Sequence, residues 1–328
     1  MINRMRGISI ILALALAATL VAIPAAAEGY NSSFSAEYPS ARAYAMGGAY
    51  TAVAGDISAL QYNPAGLGRS FVELTVGLDS SNADLLSDIS RIDEALEEVE
   101  QLDINGLAGF SLGSLGLGAF VNGLAMKDED TGDGTVYYSG RISAGIGGQV
   151  LNLGLLRLRF GLSADRLVEG LTTATFDEDG NMVDSQSTQP VSGILLNAGL
   201  IAEGGPLSVG ISARNVYGTV KMETALGTEK IKPDMVIRYG AALKLPVLGL
   251  VLAADMEEDG TTHIGAEAGL LIFKFRVGQV KRPDVDEPLT TAGLGIYLGP
   301  LRLDMAAGST DMFKSNINTA MIQGSFKF

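Results

Sequence analysis

From about position 105 onward the chain alternates repeatedly between apolar and polar residues with a period of two. Residues 235–245 put Met235, Ile237, Tyr239, Ala241, Leu243 and Leu245 on one face and Arg238 and Lys244 on the other. In 262–271, Ile264, Ala266, Ala268 and Leu270 oppose His263, Gly265 and Glu267. Phe273, Phe275 and Val277 oppose Lys274, Arg276 and Gly278, and Leu301, Leu303, Met305 and Ala307 oppose Arg302, Asp304 and Ala306. Earlier, Leu156, Leu158, Phe160, Leu162 and Ala164 oppose Arg157, Arg159, Ser163 and Asp165. Successive side chains of a strand point to opposite faces, so each run reads as a strand with one apolar and one polar side. The pattern predicts fourteen strands, at 71–79, 106–113, 115–127, 135–150, 155–173, 191–202, 207–217, 235–245, 249–256, 262–271, 273–280, 290–298, 301–309 and 319–328. One stretch departs from it. Leu85, Ile89, Ile92, Leu96, Val99 and Leu102 recur every three or four residues, which predicts an amphipathic helix over 84–102.

Period two does not say which face is buried. A soluble sandwich turns its apolar face inward, whereas a membrane barrel turns it toward lipid and keeps charge in the lumen. The connections decide between them, because they alternate between short and long. Short ones fall at Ser114, 149–154, 203–206, 246–249, near Ile272 and at Gly299-Pro300. Long or acidic ones fall at the helix-bearing segment, 127–134, 170–190, 218–233, 257–260, 281–288 and 310–318. Short turns at one end and longer loops at the other are the mark of bacterial outer-membrane barrels, with the short end periplasmic. The expected fold is therefore all-β: a 14-stranded antiparallel transmembrane barrel whose last strand pairs with its first and so leaves no open edge. The helical insertion, about 82–103, would lie in the first extracellular loop as a lid on the rim. With no Trp in the chain, the interfacial aromatic belts fall to Tyr and Phe. The chain ends on Phe326 and Phe328 on one strand face, which resembles the terminal signal read by the barrel assembly machinery.

Composition narrows the chemistry. Cysteine is absent, which removes disulfides, thiolate metal sites and cysteine nucleophiles. His263 is the single histidine, so multi-histidine zinc sites are excluded, and no nucleophile–base–orienter set can be named. No enzyme activity, metal or cofactor is expected. The 42 glycines suit closely packed, curved strands. A formal charge of −14 argues against nucleic acid, which needs a basic face. Residues 1–27 read as a signal peptide: Arg4 and Arg6, an apolar stretch over 8–23, then Ala25-Ala26-Ala27. Its removal would leave a mature charge of −16 and no later apolar run long enough for a transmembrane helix. Asp128-Glu129-Asp130-Thr131-Gly132-Asp133-Gly134 lacks the spacing and distal Glu of a calcium loop, and Gly145-Ile146-Gly147-Gly148 lacks the Lys-Ser/Thr of a phosphate loop.

Between the signal peptide and the first strand lies a compact, non-periodic run of small residues. Gly47-Gly48 permits positive φ or close approach of two backbones. Asp56 can cap the turn Ile57-Ser58-Ala59-Leu60, and Asn63-Pro64 ends it. The pattern Arg42, Met46-Gly47-Gly48, Ala52, Asp56, Ala59 and Asn63-Pro64-Ala65-Gly66 resembles the N-terminal signature of outer-membrane barrels related to the long-chain fatty acid transporters. That superfamily includes conjugal-transfer-like proteins and the secretion-associated Por barrels, and the sequence looks nearest to these. Ser212-Ala213-Arg214-Asn215, His263–Glu267, Arg276-Val277-Gly278, Gly293-Leu294-Gly295 and Leu303-Asp304 carry the likeness into the barrel. It implies that residues 28–70 fold inside the barrel 71–328 as a hatch, with Arg42, Gly47, Gly48, Asp56, Asn63, Pro64 and Ala65 as its gating residues. It also implies passive uptake of a hydrophobic or amphipathic small molecule across the outer membrane, with lipid around the barrel.

The polar faces supply a candidate lumen cluster: Arg157, Arg159, Asp165, Arg238, Asp255, His263, Glu267, Arg276, Arg302 and Asp304. It could select or anchor cargo, or simply neutralise the lumen and hold the hatch. A two-residue turn at Leu271-Ile272 would set Glu267 directly against Arg276. A second reading stays open, in which the barrel transports nothing and docks a secreted or surface partner through its helix and acidic loops.

Overall fold

The computed structural model describes residues 40–69, 72–80, 101–127, 134–176, 182–224, 227–310 and 319–328. Its strands are β1 (Val72–Ser80), β2 (Gln101–Leu112), β3 (Leu115–Lys127), β4 (Gly134–Asn152), β5 (Leu156–Phe176), β6 (Met182–Gly204), β7 (Leu207–Thr224) and β8 (Gly227–Ile231). They continue with β9 (Val236–Leu245), β10 (Leu250–Glu257), β11 (Thr262–Leu270), β12 (Phe273–Lys281), β13 (Leu289–Leu298), β14 (Leu301–Ser309) and β15 (Thr319–Lys327). Every strand except β8 pairs antiparallel with a neighbour on each side, β7 pairs with β9, and β1 pairs with β15. Fourteen strands thus close a barrel. The fifteenth, β8, folds back on the upper part of β7, where β9 has not yet begun.

The two faces differ as a membrane requires. Leu252, Ile264, Phe275, Val277 and Leu303 stand exposed on the outside, while Asp165, Asp255, Glu267, Arg276 and Asp304 on the intervening positions are buried inside. No helix among the described residues is long and apolar enough to cross a membrane, which leaves the crossing to strands.

The wall is uneven. β4 to β7 run for 18 to 23 residues, whereas β9 to β15 run for 8 to 10. This corrects the expected ends. The stretch 170–190, read from sequence as a loop, is largely β5 and β6, and 218–233 contains the end of β7 and all of β8. In these parts successive residues such as Asp184, Ser185 and Gln186 are polar and exposed and show no apolar–polar alternation to read. The predicted helix also ends too late. Gln101 and Leu102 are strand, paired with Met126 and Ala125, because β2 follows β3 to its full height. Positions 84–100 and 1–27 lie outside the described residues.

Candidate functional site

Residues 40–69 lie inside the barrel. Ser40 caps α1 (Ala41–Ala45), its Oγ accepting the Ala43 N–H at 3.2 Å. Gly47 and Gly48 follow with φ of 62° and 74°, a left-handed reversal that a Cβ would oppose. The Asp56 carboxylate accepts the Ser58 N–H at 3.1 Å before α2 (Ala59–Tyr62). Asn63, at φ −164°, then starts the 3-10 turn Pro64–Gly66, its Oδ1 accepting the Ala65 N–H at 3.1 Å. Ala43, Ala45, Met46, Ala49, Tyr50, Ala54, Ile57, Leu60 and Ala65 have no exposed surface.

This burial depends on glycines in the wall. A Cβ at Gly147 or Gly161 would overlap Pro64, one at Gly199 would overlap Asn63, and ones at Gly265 and Gly278 would meet Met46 and Gly47. Those positions belong to β4, β5, β6, β11 and β12, so backbone meets backbone on opposite sides of the lumen.

Wall side chains then satisfy the segment's main chain. Asp255 Oδ2 accepts the N–H groups of Tyr50 and Thr51 at 2.9 and 2.8 Å. Thr291 Oγ1 accepts the Gly47 N–H at 3.1 Å, and His263 Nδ1 lies 2.7 Å from the Gly47 carbonyl. Arg238 donates to Gly48 O at 3.4 Å and pairs with Glu257, which also faces His263 Nε2. Arg159 donates to Ala65 O and Leu67 O at 3.0 and 2.7 Å, Ser208 to Ala52 O at 2.8 Å, and Lys327 to Gly55 O. Asn63 Nδ2 bridges Thr51 O and the strand carbonyls of Leu200 and Ile211.

One charged ladder reaches from the segment into the wall. Arg42 Nε lies 2.9 Å from Glu267, Glu267 lies 2.7 Å from Arg276 Nε, and Arg276 Nη1 lies 2.7 Å from Asp304. Arg276 also donates to the Tyr297 hydroxyl at 2.8 Å, and Arg302 stacks 4.8 Å above that ring. Arg42 donates to Tyr50 Oη, whose hydroxyl donates to Asp56. Burial alone would raise the Asp56 pKa. Lys327 and Arg42 outweigh it, and with Ser58 and Tyr50 donating, the carboxyl is held below its usual range. Burial drives the Tyr50 phenol well above its own.

The lumen residues picked out by sequence therefore fall into separate groups. Arg42, Glu267, Arg276 and Asp304 form the ladder. Arg238, Asp255 and His263 grip the turn from Gly47 to Thr51. Arg159 holds Ala65, while Arg157 is half exposed and 4.0 Å from Glu203. Asp165 meets Ser143, Asn197 and Gln61. Phe326 and Phe328 stack edge to face with centroids 4.7 Å apart. Sequence reasoning missed Glu203, which serves Arg69, Arg157 and Lys244 together, and it missed Glu257, Thr291 and the seating glycines. The high glycine content was the available signal for the last. Among the described residues no group of acids and histidine is placed to hold a metal ion.

No family model matches the chain, and no curated protein sequence does. Solved structures do. A TodX monoaromatic hydrocarbon channel, the deltaS2 mutant, matches with a TM-score of 0.53 at 12% identity over 89% of this chain and 97% of that one. The P. putida toluene transporter TodX matches with a TM-score of 0.51 at 12% identity over 87% and 97%. A Pseudomonas aeruginosa FadL homologue gives 0.50 at 8% identity over 85% and 96%. The fold is that of the FadL-like barrels. At these identities the likeness is one of fold, and it spans nearly the whole length of each matched chain.

Proposed function

We propose that the chain is an outer-membrane channel for passive uptake of small hydrophobic or amphipathic molecules, with the segment around 28–70 acting as its hatch. The observation that carries this reading is a barrel of hydrocarbon-channel fold whose lumen is filled by a separately folded segment seated on glycines. The matched structures include a monoaromatic hydrocarbon channel and a toluene transporter. On the lumen face of the tall wall, Leu167, Val191, Leu195 and Val220 form an apolar cluster with Met222, where a hydrophobic molecule can leave water. Beneath it the hatch closes the bore, so passage needs the hatch or the wall to yield. The wall has a weak place. β7 pairs with β9 up to Arg214 and with β8 from Val220, which leaves 215–219 without a ladder partner on that side among the described residues. Asn215 sits there at φ 56° and Gly218 at 138°. The long connections would face outward and the short turns the periplasm, and assembly would proceed through the C-terminal Phe328.

The test is uptake of an aromatic hydrocarbon by proteoliposomes, comparing the native chain with Ala52→Cys/Ser208→Cys. Because the chain has no cysteine, that pair alone can tie hatch to wall, where Ser208 Oγ already lies 2.8 Å from Ala52 O. Uptake should fall to the protein-free rate on oxidation and return on reduction. Uptake by the native chain no faster than in protein-free vesicles would discard transport and favour the second reading, a closed barrel that docks a partner. The close seating of the hatch is the feature that keeps that reading in view.

A further inference from the structure

The short-turn rim of the barrel is apolar to its tips. The six short turns are Gly113-Ser114, Leu153-Gly154-Leu155, Gly205-Pro206, Pro246–Gly249, Leu271-Ile272 and Gly299-Pro300, and none contains a charged residue. Leu155 is 88% exposed, Leu271 90% and Val247 99%. At the other end the described connections carry exposed Glu258, Asp259, Asp284, Asp286 and Glu287.

The short side of the wall is also too short. At about 3.3 Å per residue and a tilt of about 40°, the eight residues of β10 cover about 20 Å along the membrane normal, against an apolar belt about 25 Å tall in such barrels. The missing height cannot come from the end bearing Glu258 and Asp259. It can come from the turns.

Two further features fit that use. Leu271 holds φ at 54°, a turn position normally given to glycine or asparagine, so an apolar tip is kept there against backbone preference. Four of the turn carbonyls also find donors within the protein, as hydrocarbon demands. Lys244 N–H donates to Pro206 O at 2.7 Å, Tyr297 N–H to Ile272 O at 2.8 Å, Lys327 N–H to Pro300 O at 2.8 Å and Gly249 N–H to Pro246 O at 3.1 Å.

We propose that the short-turn rim is embedded in the membrane. The side chains of Leu153, Leu155, Val247, Leu271 and Ile272 enter the acyl chains of the adjoining leaflet and complete the span that β10, β11, β12 and β14 leave short. The inference rests on the barrel spanning a bilayer, and its occupant is lipid: the tips at Val247 and Leu271-Ile272 continue the lipid-facing surface of Leu252, Leu270, Phe273 and Phe275.

The test places a polarity-sensitive fluorophore on single cysteines, Val247→Cys and Leu271→Cys, with Val277→Cys on a strand and Asp286→Cys on a long connection as references. The folded protein is placed in phosphatidylcholine vesicles with or without chain-labelled doxyl lipid. The labels at 247 and 271 are expected to be quenched by doxyl lipid about as strongly as the label at 277, and by aqueous iodide roughly threefold or more below the label at 286. Strong iodide quenching at 247 and 271, with 277 still quenched by lipid, would overturn the proposal. Shielding from both quenchers would overturn it too, in favour of a protein partner or a second copy on the rim. Iodide quenching at 277 itself would instead remove the membrane-spanning barrel on which the proposal rests. As a label-free check, Leu271→Asp should lower folding yield about threefold in palmitoyl-oleoyl vesicles and little in thinner dilauroyl vesicles. Equal yields in both would count against an embedded rim.

Discussion

At Gly278 the wall comes so near the inner segment that one added methyl group would overlap the main chain of Gly47. The neighbour is backbone, which cannot rotate away as a side-chain tip can. Gly278→Ala is therefore an overpacking substitution, costing about 1–3 kcal/mol, and the cost falls on hatch docking because the strand itself accepts alanine. Amide exchange measured residue by residue should speed up across 40–69 by roughly tenfold or more and stay unchanged in β11 to β13. Gly324→Ala is the counterpart. Nothing lies within 4 Å of its added Cβ, so exchange in the hatch should be unaltered. Asp56 makes a second prediction at this scale. Its carboxyl titrates below the usual range in the folded chain, so the stability it lends is complete above the usual carboxylate pKa and disappears as pH falls through the lowered one. Hatch protection, corrected for intrinsic exchange, should thus weaken on acidification in the native chain. In Asp56→Asn it should be lower at neutral pH and lose this part of its acid dependence.

Among the elements, α1 is too short to be stable alone and is held by its surroundings. Arg42 ties it to Glu267, and Gln323 Oε1 accepts the Ala41 N–H at 2.9 Å. Arg42→Ala removes one partner of Glu267 but leaves Arg276 in place, so the carboxylate does not become an unpaired buried charge. The expected loss is about 1–3 kcal/mol in hatch docking, well short of breaking the whole ladder. Exchange confined to 41–48 would measure it, while heat resistance of the barrel stays the same. The strands on which this depends were legible in sequence wherever one face meets lipid. The turn Leu271-Ile272 is so short that Glu267 has no partner position other than Arg276, and the pairing follows from counting. Legibility stopped where that physics stops. The tops of β5 and β6 carry Thr172 buried and Asp184, Ser185 and Gln186 exposed, polar on both faces, so Thr172 and Ser187 bond to each other in what reads as loop. The grip of Asp255 on Tyr50 joins positions 205 residues apart, and no local pattern encodes it. The seating glycines were visible only as an abundance, because the reason for each lies in the segment it faces.

For the whole molecule, the barrel and its contents are separable in energy. The wall closes through strand pairing from β1 to β15, and none of those pairings uses residues 40–69. The hatch, by contrast, packs its apolar side chains against wall residues such as Leu107, Phe120, Ala242, Val280 and Met321. Removing residues 40–69 should leave a barrel that still assembles and still resists heat. Its lumen would then be lined by Arg159, Ser208, Arg238, Asp255, His263 and Thr291, which now bond to the hatch and would bond to water instead. Fourteen strands enclose more room than side chains of that size fill, so the vacated bore should conduct ions. In planar bilayers the shortened chain is expected to give discrete conductance steps, with the native chain conducting roughly tenfold less or not at all. If both conduct alike, the segment does not seal the bore. If neither conducts while the shortened barrel is folded, some other part of the chain closes it, and a gating role for Gly47, Gly48 and Asn63 would have to be given up.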